Sequence, residues 1–352
     1  MDNQNALEST NPDVISFLQI LYQREDVFLE GTVLGIVHSD RPVEFDQCEL
    51  NYLTRRYESI SRLNDLPRFD SLSPAAEHNC YRGSVSLWKF NQGELSKPVL
   101  AAHLRPNGYK PQHVVWHDDR LWVLATECVY VYDRHFQHIA TISDPWMAGG
   151  HTIVPTGEGM MLTTWSASDS VIIIDVKSMS VRHVLRLPEV LYGRNYPLQR
   201  EDNVIDHYIH NDLQLTHINA AWPDCEGILV SLLIPGAIGR FNSAGEYQEI
   251  TRGFVGCHGV RVDHRGQIYY CDSCMGTINF IDREGRLSHR LDCNSRWLHD
   301  ALEIKSGIFA TAVADRNTVE IVDLSTLETI TRIDGSELGE SVQFLSYHIP
   351  DC

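Results

Sequence analysis

The chain has no apolar run approaching the ~20 residues that a membrane-spanning helix needs. Its opening, MDNQNALESTNPD, lacks the positive region and apolar stretch of a secretory leader, so neither anchor nor leader is expected. No Asn-x-Ser/Thr acceptor occurs. Positive charge is scarce: 29 Lys and Arg stand against 47 Asp and Glu, a formal net charge of −18. Such a chain repels phosphate backbones and anionic lipid, which argues against nucleic acid and against a membrane surface as partners. The nine cysteines are an odd number without a disulfide framework, and this absence points to a cytoplasmic setting. Cys271-x-x-Cys274 has no partner pair and no evident helix N-terminus beside it, so zinc or redox chemistry is not expected there.

What is present is a repeat. Residues 256–292, GCHGVRVDHRGQIYYCDSCMGTINFIDREGRLSHRLD, hold four short alternating runs separated by turn residues: Gly259 to Val262, Gln267 to Asp272, Thr277 to Ile281 and Leu287 to Leu291. Such a four-stranded unit exposes both faces and needs neighbours. Four further copies follow the same plan, and each opens on a histidine, giving His113, His151, His217, His258 and His299 at intervals of 38, 66, 41 and 41 residues. A four-stranded unit at that period predicts an all-β fold, a β-propeller.

The next interval lands on Glu340, which opens GESVQFLSYHI and then runs out of chain. The missing partners are expected near the start, at residues 29–39, 84–91 and 97–104. The C-terminal strand thus closes an N-terminal blade, for a count of six blades in one domain spanning 1–352. A short helix is expected over 12–23, after Asn11-Pro12-Asp13. Two insertions, 40–82 and 188–214, emerge in this topology on the face where the inner strands begin. Long loops beside a ring of polar residues are the arrangement of a lidded site.

The piece HGVRVDHRGQIYYCDSCMGTINFID resembles the repeat of the NHL and SMP-30-like propellers and of streptogramin-lyase-type propellers, a resemblance covering residues 105–349 as a pattern. It implies a propeller fold. Such propellers include lyases, lactonases, a zinc-dependent amidating lyase and pure binding modules. The recurring histidines are similar, in site and not in sequence, to those of carotenoid-cleavage oxygenases, where four histidines from different blades hold iron at the axis.

Neutral imidazoles converging on an axis suit a transition metal with open positions for substrate. The expected ligands are His151, His217, His258 and His299, the copies of nearly uniform spacing. Fe(II) is the first choice of metal, with Zn(II) and Cu(II) as alternatives. His113, in a shorter copy, is expected displaced from their plane and in an acid/base role, with Glu340 at the equivalent repeat position. From the 188–214 segment, Arg194 could hold an anionic group, Tyr208 could donate a proton, and His210 could reach toward the ring with His207. The expectation is a metal-dependent enzyme acting on a small organic molecule by lyase or oxidative-cleavage chemistry. The alternative is a non-catalytic binding propeller whose imidazoles only line a channel.

Overall fold

The computed structural model describes residues 33–39, 83–91, 94–95, 100–102, 111–125, 127–133, 137–156, 159–188, 190–191, 194–195, 216–334 and 341–348. The helix expected over 12–23 and the 40–82 insertion lie outside them. Of the 188–214 insertion they include little more than a short hairpin pairing Val190–Leu191 with Arg194–Asn195.

Five antiparallel sheets, each of four consecutive strands, are arranged as propeller blades. Their inner strands are Pro111–His117, Gly150–Pro155, Ile218–Asp224, Cys257–Val262 and Leu298–Lys305. These define the first to fifth blades. The fourth reproduces the expected pattern closely, with Cys257–Val262, Ile268–Asp272, Thr277–Ile281 and Leu287–Asp292. Neighbouring inner strands pack in a closed circuit, the C-terminal strand Ser341–His348 lying between those of the fifth and first blades.

The count of six repeated blades is corrected to five. The remaining sheet departs from the four-strand plan: Ser341–His348 pairs with Val33–Ser39, which pairs with Gly83–Asn91. Beyond that, Gly83–Asn91 is shared between two short pieces, Leu100–Ala102 and Glu94–Leu95. Its strands come from both chain ends and are interrupted by an insertion, so no single hairpin meander builds it.

The sequence reads as strands because consecutive residues serve opposite inter-blade layers. In Ser170–Asp175, Ile172 and Ile174 pack with the first blade's Trp122 and Val131, while Val171 and Ile173 pack with the third blade's Ile228 and Val230. In the fourth blade Ile268 and Tyr270 face the third blade, and Tyr269 and Cys271 face the fifth. Middle strands are therefore buried on both sides, whereas outer strands such as Leu287–Asp292 are mostly exposed.

Turn chemistry repeats with the blades. In four of the five blades an Asp at or just after the end of the third strand accepts a backbone N–H from the turn that follows: Asp133 from Gln137, Asp175 from Ser178, Asp282 from Arg286 and Asp323 from Ser325. In the third blade Asn242 does the same for Ala244. The described helical elements are single turns at Ser273–Met275 and Ala314–Arg316, and none is long and apolar enough to cross a membrane.

Candidate functional site

In the second to fifth blades the entry to the inner strand is bonded to the turn between the second and third strands of the same blade. Ser166 N donates to Gly149 O, Leu233 N to His217 O, Ser273 N to Gly256 O and Ala314 N to Trp297 O. Both connections therefore lie on one face, and His151, His217, His258 and His299 sit there at the inner edge. A β-bulge follows at the start of every inner strand in the five blades, interrupting the register after Pro111, Gly150, Ile218, His258 and Leu298. Bulges at strand starts locally re-aim the side chains beside them.

The rings form a chain across blades. His151 and His217 make an edge contact with centroids 4.7 Å apart, and His258 and His299 are tilted together at 5.1 Å. Trp297 meets His258 edge-on at 5.8 Å. His217 and His258 are linked electrostatically: burial first, then the charge on His258, presses the His217 imidazole down to about 3. Among the described residues His217 Nδ1 has no hydrogen-bond partner. His258 is also held below the usual imidazole range, by burial, with partial compensation from the Gly256 carbonyl and Asp300. Both are neutral rings at pH 7.

The His258 tautomer follows from its partners. Its Nδ1 lies 2.9 Å from Gly256 O, which can only accept, so Nδ1 carries the proton and Nε2 the lone pair. Ser273 Oγ adds a contact to Nδ1 at 2.8 Å. Just inward, Arg261 and Asp300 form a buried inter-blade ion pair, with Nη1 to Oδ1 at 2.5 Å and Nη2 to Oδ2 at 3.0 Å. Arg261 Nη1 also bonds Ala301 O, and the guanidinium faces the Trp222 ring. Gly259, at φ +60°, leaves room for Asp300: a Cβ there would stand 2.6 Å from Oδ1.

His217 departs from the spacing of its companions. His151, His258 and His299 each follow the residue paired with, or next to, the end of the second strand, whereas His217 precedes Ile218 in a left-handed conformation at φ 52°. The Asp169 carboxylate clamps it there, accepting from Thr216 Oγ1 at 2.7 Å, Thr216 N at 3.2 Å and Ile218 N at 3.3 Å. Burial raises Asp169 to about 6 against these bonds.

The register equivalent of His151 in the third blade is Asn219. It is fully buried, donates to Cys257 O at 2.8 Å and accepts from Ser231 Oγ at 2.5 Å. Sequence reasoning missed it, although Asn219 stands eight residues before Gly227, the interval that separates His151, His258 and His299 from Gly159, Gly266 and Gly307.

His113 lies deeper in its strand, two residues past Pro111, and its Nδ1 accepts the backbone N–H of Ile153 at 3.2 Å. It thus tethers the first blade to the second. Arg194 falls on the short hairpin, of which the backbone is described. Glu340, Tyr208, His207 and His210 lie outside the described residues. Cys257 and Cys271 are buried thiols pushed well above their usual range by desolvation, and Cys274 is exposed.

The described histidines pair rather than converge. Among the described residues no three His, Cys, Asp or Glu side chains are placed together to hold a metal ion. A four-imidazole centre at His151, His217, His258 and His299 therefore does not fit the described donor set. The arrangement offers neutral imidazoles for proton transfer and hydrogen bonding.

Fold and site together define a β-propeller whose inner strands carry histidines at or near their entries on one face. No protein-family model matches the chain, and no curated protein matches it in sequence. Solved structures do. A chain of the nidogen/laminin complex is similar with a TM-score of 0.61 at 9% identity, over 92% of this chain and 100% of that one. A protein of unknown function from Bacteroides caccae has a TM-score of 0.56 at 10% identity, over 76% and 95%. A streptogramin B lyase reaches 0.47 at 12% identity, over 71% and 78%, a score too low to bear on function. At these identities the shared property is the propeller fold.

Proposed function

We propose that the protein is an enzyme that acts on a small organic molecule at the histidine mouth, by proton abstraction and elimination. The observation that carries this reading is His258: a buried, neutral imidazole whose Nδ1 proton is committed to Gly256 O, leaving Nε2 as base. In the reaction His258 Nε2 removes a proton from a carbon beside a carbonyl. The C–H electrons form the new double bond, and the leaving group departs with its bonding pair. His299, 5.1 Å away ring to ring, supplies the proton to that leaving group. Arg261 and Asp300 position His258 electrostatically from within the wall. No step is routed through a metal.

A second reading, a binding propeller with imidazoles lining the channel, is favoured by the ring-on-ring packing of His151 with His217 and by the inter-blade bond of His113. One experiment separates the readings. Untagged protein and its His258→Ala variant are incubated with small-molecule extracts, and consumed and formed masses are followed alongside bound metal. Elimination gives products whose masses sum to the substrate, hydrolysis adds the elements of water, and oxidative cleavage adds dioxygen. The expected result is mass-conserving turnover, lowered about 10²–10⁴-fold by His258→Ala. Absence of turnover, or equal turnover in the variant, overturns the proposal in favour of channel lining.

A further inference from the structure

At the other end of the inner strands, two turns of adjacent blades meet on the face opposite the axial histidines. Glu303, nearly buried, accepts three hydrogen bonds there: from His264 N at 2.8 Å, His264 Nδ1 at 2.7 Å and Gly307 N at 2.9 Å. A carboxylate accepts, so the ring proton sits on Nδ1 and Nε2 carries the lone pair. Ser306 Oγ lies 2.6 Å from that Nε2 and donates to it. Arg265 Nε also reaches Nε2, at 3.3 Å, placing a cation beside the same atoms. The turn carrying His264 and Arg265 is held by Asp263 Oδ1, which accepts from Arg265 N at 2.9 Å and Gln267 N at 2.8 Å.

We propose that Ser306, His264 and Glu303 form a nucleophilic site for small, unhindered acyl esters, with Ser306 as the nucleophile. The three groups satisfy the geometric roles that define such a site: nucleophile bonded to base, and base held in the required tautomer by a carboxylate. His264 and Ser306 are exposed, so the ester is one that can be presented from solvent without a deep acyl pocket.

In acylation Ser306 Oγ bonds to the ester carbonyl carbon while its proton passes to His264 Nε2. The tetrahedral oxyanion forms beside the Arg265 guanidinium. The bond to the alcohol oxygen then breaks, and the alcohol leaves with the proton from His264. In deacylation water attacks the acyl carbon, gives a proton to His264, and the acid departs as Ser306 recovers its proton. Glu303 stays a carboxylate throughout and orients the ring. This site shares no residue with the axial histidines and does not rest on the reading given to them.

The test uses the full chain and a fluorophosphonate probe, which phosphonylates an activated serine with loss of fluoride and ignores ordinary surface hydroxyls. Intact mass and peptide mapping should show one adduct per chain, on Ser306, absent from Ser306→Ala. His264→Gln, an exposed substitution, should slow labelling and p-nitrophenyl acetate hydrolysis about 10²–10⁴-fold. Glu303→Gln should slow both while leaving the adduct site unchanged. Ser306→Ala should leave turnover at the axial mouth as it was. No adduct at Ser306, or an adduct forming equally fast in His264→Gln, overturns the proposal.

Discussion

His217 shows how one buried residue ties pH to stability. It is enclosed by His151, His258 and the Asp169-clamped turn, and its ring is held neutral down to about 3. In the unfolded chain it would titrate near the ordinary 6.5. Between those values the unfolded state binds more protons, so the contribution of His217 is complete above pH 6.5 and is lost as pH falls toward 3. Asp169 runs the other way: raised to about 6, it contributes fully below the ordinary carboxylate range and loses that contribution as pH rises through 6. His258, also depressed, adds to the acid sensitivity. His217→Asn keeps a side chain that tolerates the left-handed backbone and removes the titration. The variant should lose less stability on acidification. Urea denaturation from pH 6.5 to 4.5 should show the difference between the two proteins changing by about 1.4 kcal/mol per pH unit. Parallel curves would show that His217 is not held neutral.

At the scale of elements, the turn between second and third strands recurs with one residue in the left-handed region just before the third strand. That residue is Asp169, Gly236, Gly276 and Asn317 in the second to fifth blades. The glycine is required where the next stretch of chain passes close by. At Gly276 an added Cβ would stand 2.0 Å from Ser295 O, a backbone atom that cannot step aside. Gly276→Ala should therefore cost about 1–3 kcal/mol in thermal or denaturant unfolding. Asn317→Gly, at φ 51°, should change stability by no more than about 0.5 kcal/mol. Equal effects at the two positions would mean that backbone conformation alone, and not the close approach, governs this turn.

For the whole molecule, closure depends on the C-terminal strand. Ser341–His348 pairs with Val33–Ser39 from Ser39↔Ser341 to Val33↔His348, and it packs against the inner strands on either side. Removing residues from 341 onward would unpair an edge of Val33–Ser39 and open the circuit beside the fifth and first blades. The truncated chain should unfold at lower temperature and self-associate, as read by calorimetry and size-exclusion chromatography. A truncated protein that stays monomeric with an unchanged transition would show that five blades hold together without the closing sheet.

The fourth blade was legible almost residue by residue because its alternation, its turn residues and its glycines are all local signals, acting within a few residues of chain. So was the placing of His151, His258 and His299 at the entries to inner strands, whereas His217 stands before its strand and His113 further into its own. The closing sheet was only partly legible, since its strands come from both ends and share one long partner, a pairing decided by which edges are left open once the other blades have packed. The site was less legible still. Aligning the repeats on histidine hid Asn219, because bulges and the left-handed turn at His217 shift register in ways that only strand pairing displays. The same holds for His264, Glu303 and Ser306: they belong to two repeats and are unremarkable in each, and they become neighbours only because adjacent blades bring their turns together. Local patterning by itself determined strands and repeats, and tertiary packing decided which side chains of different blades became neighbours.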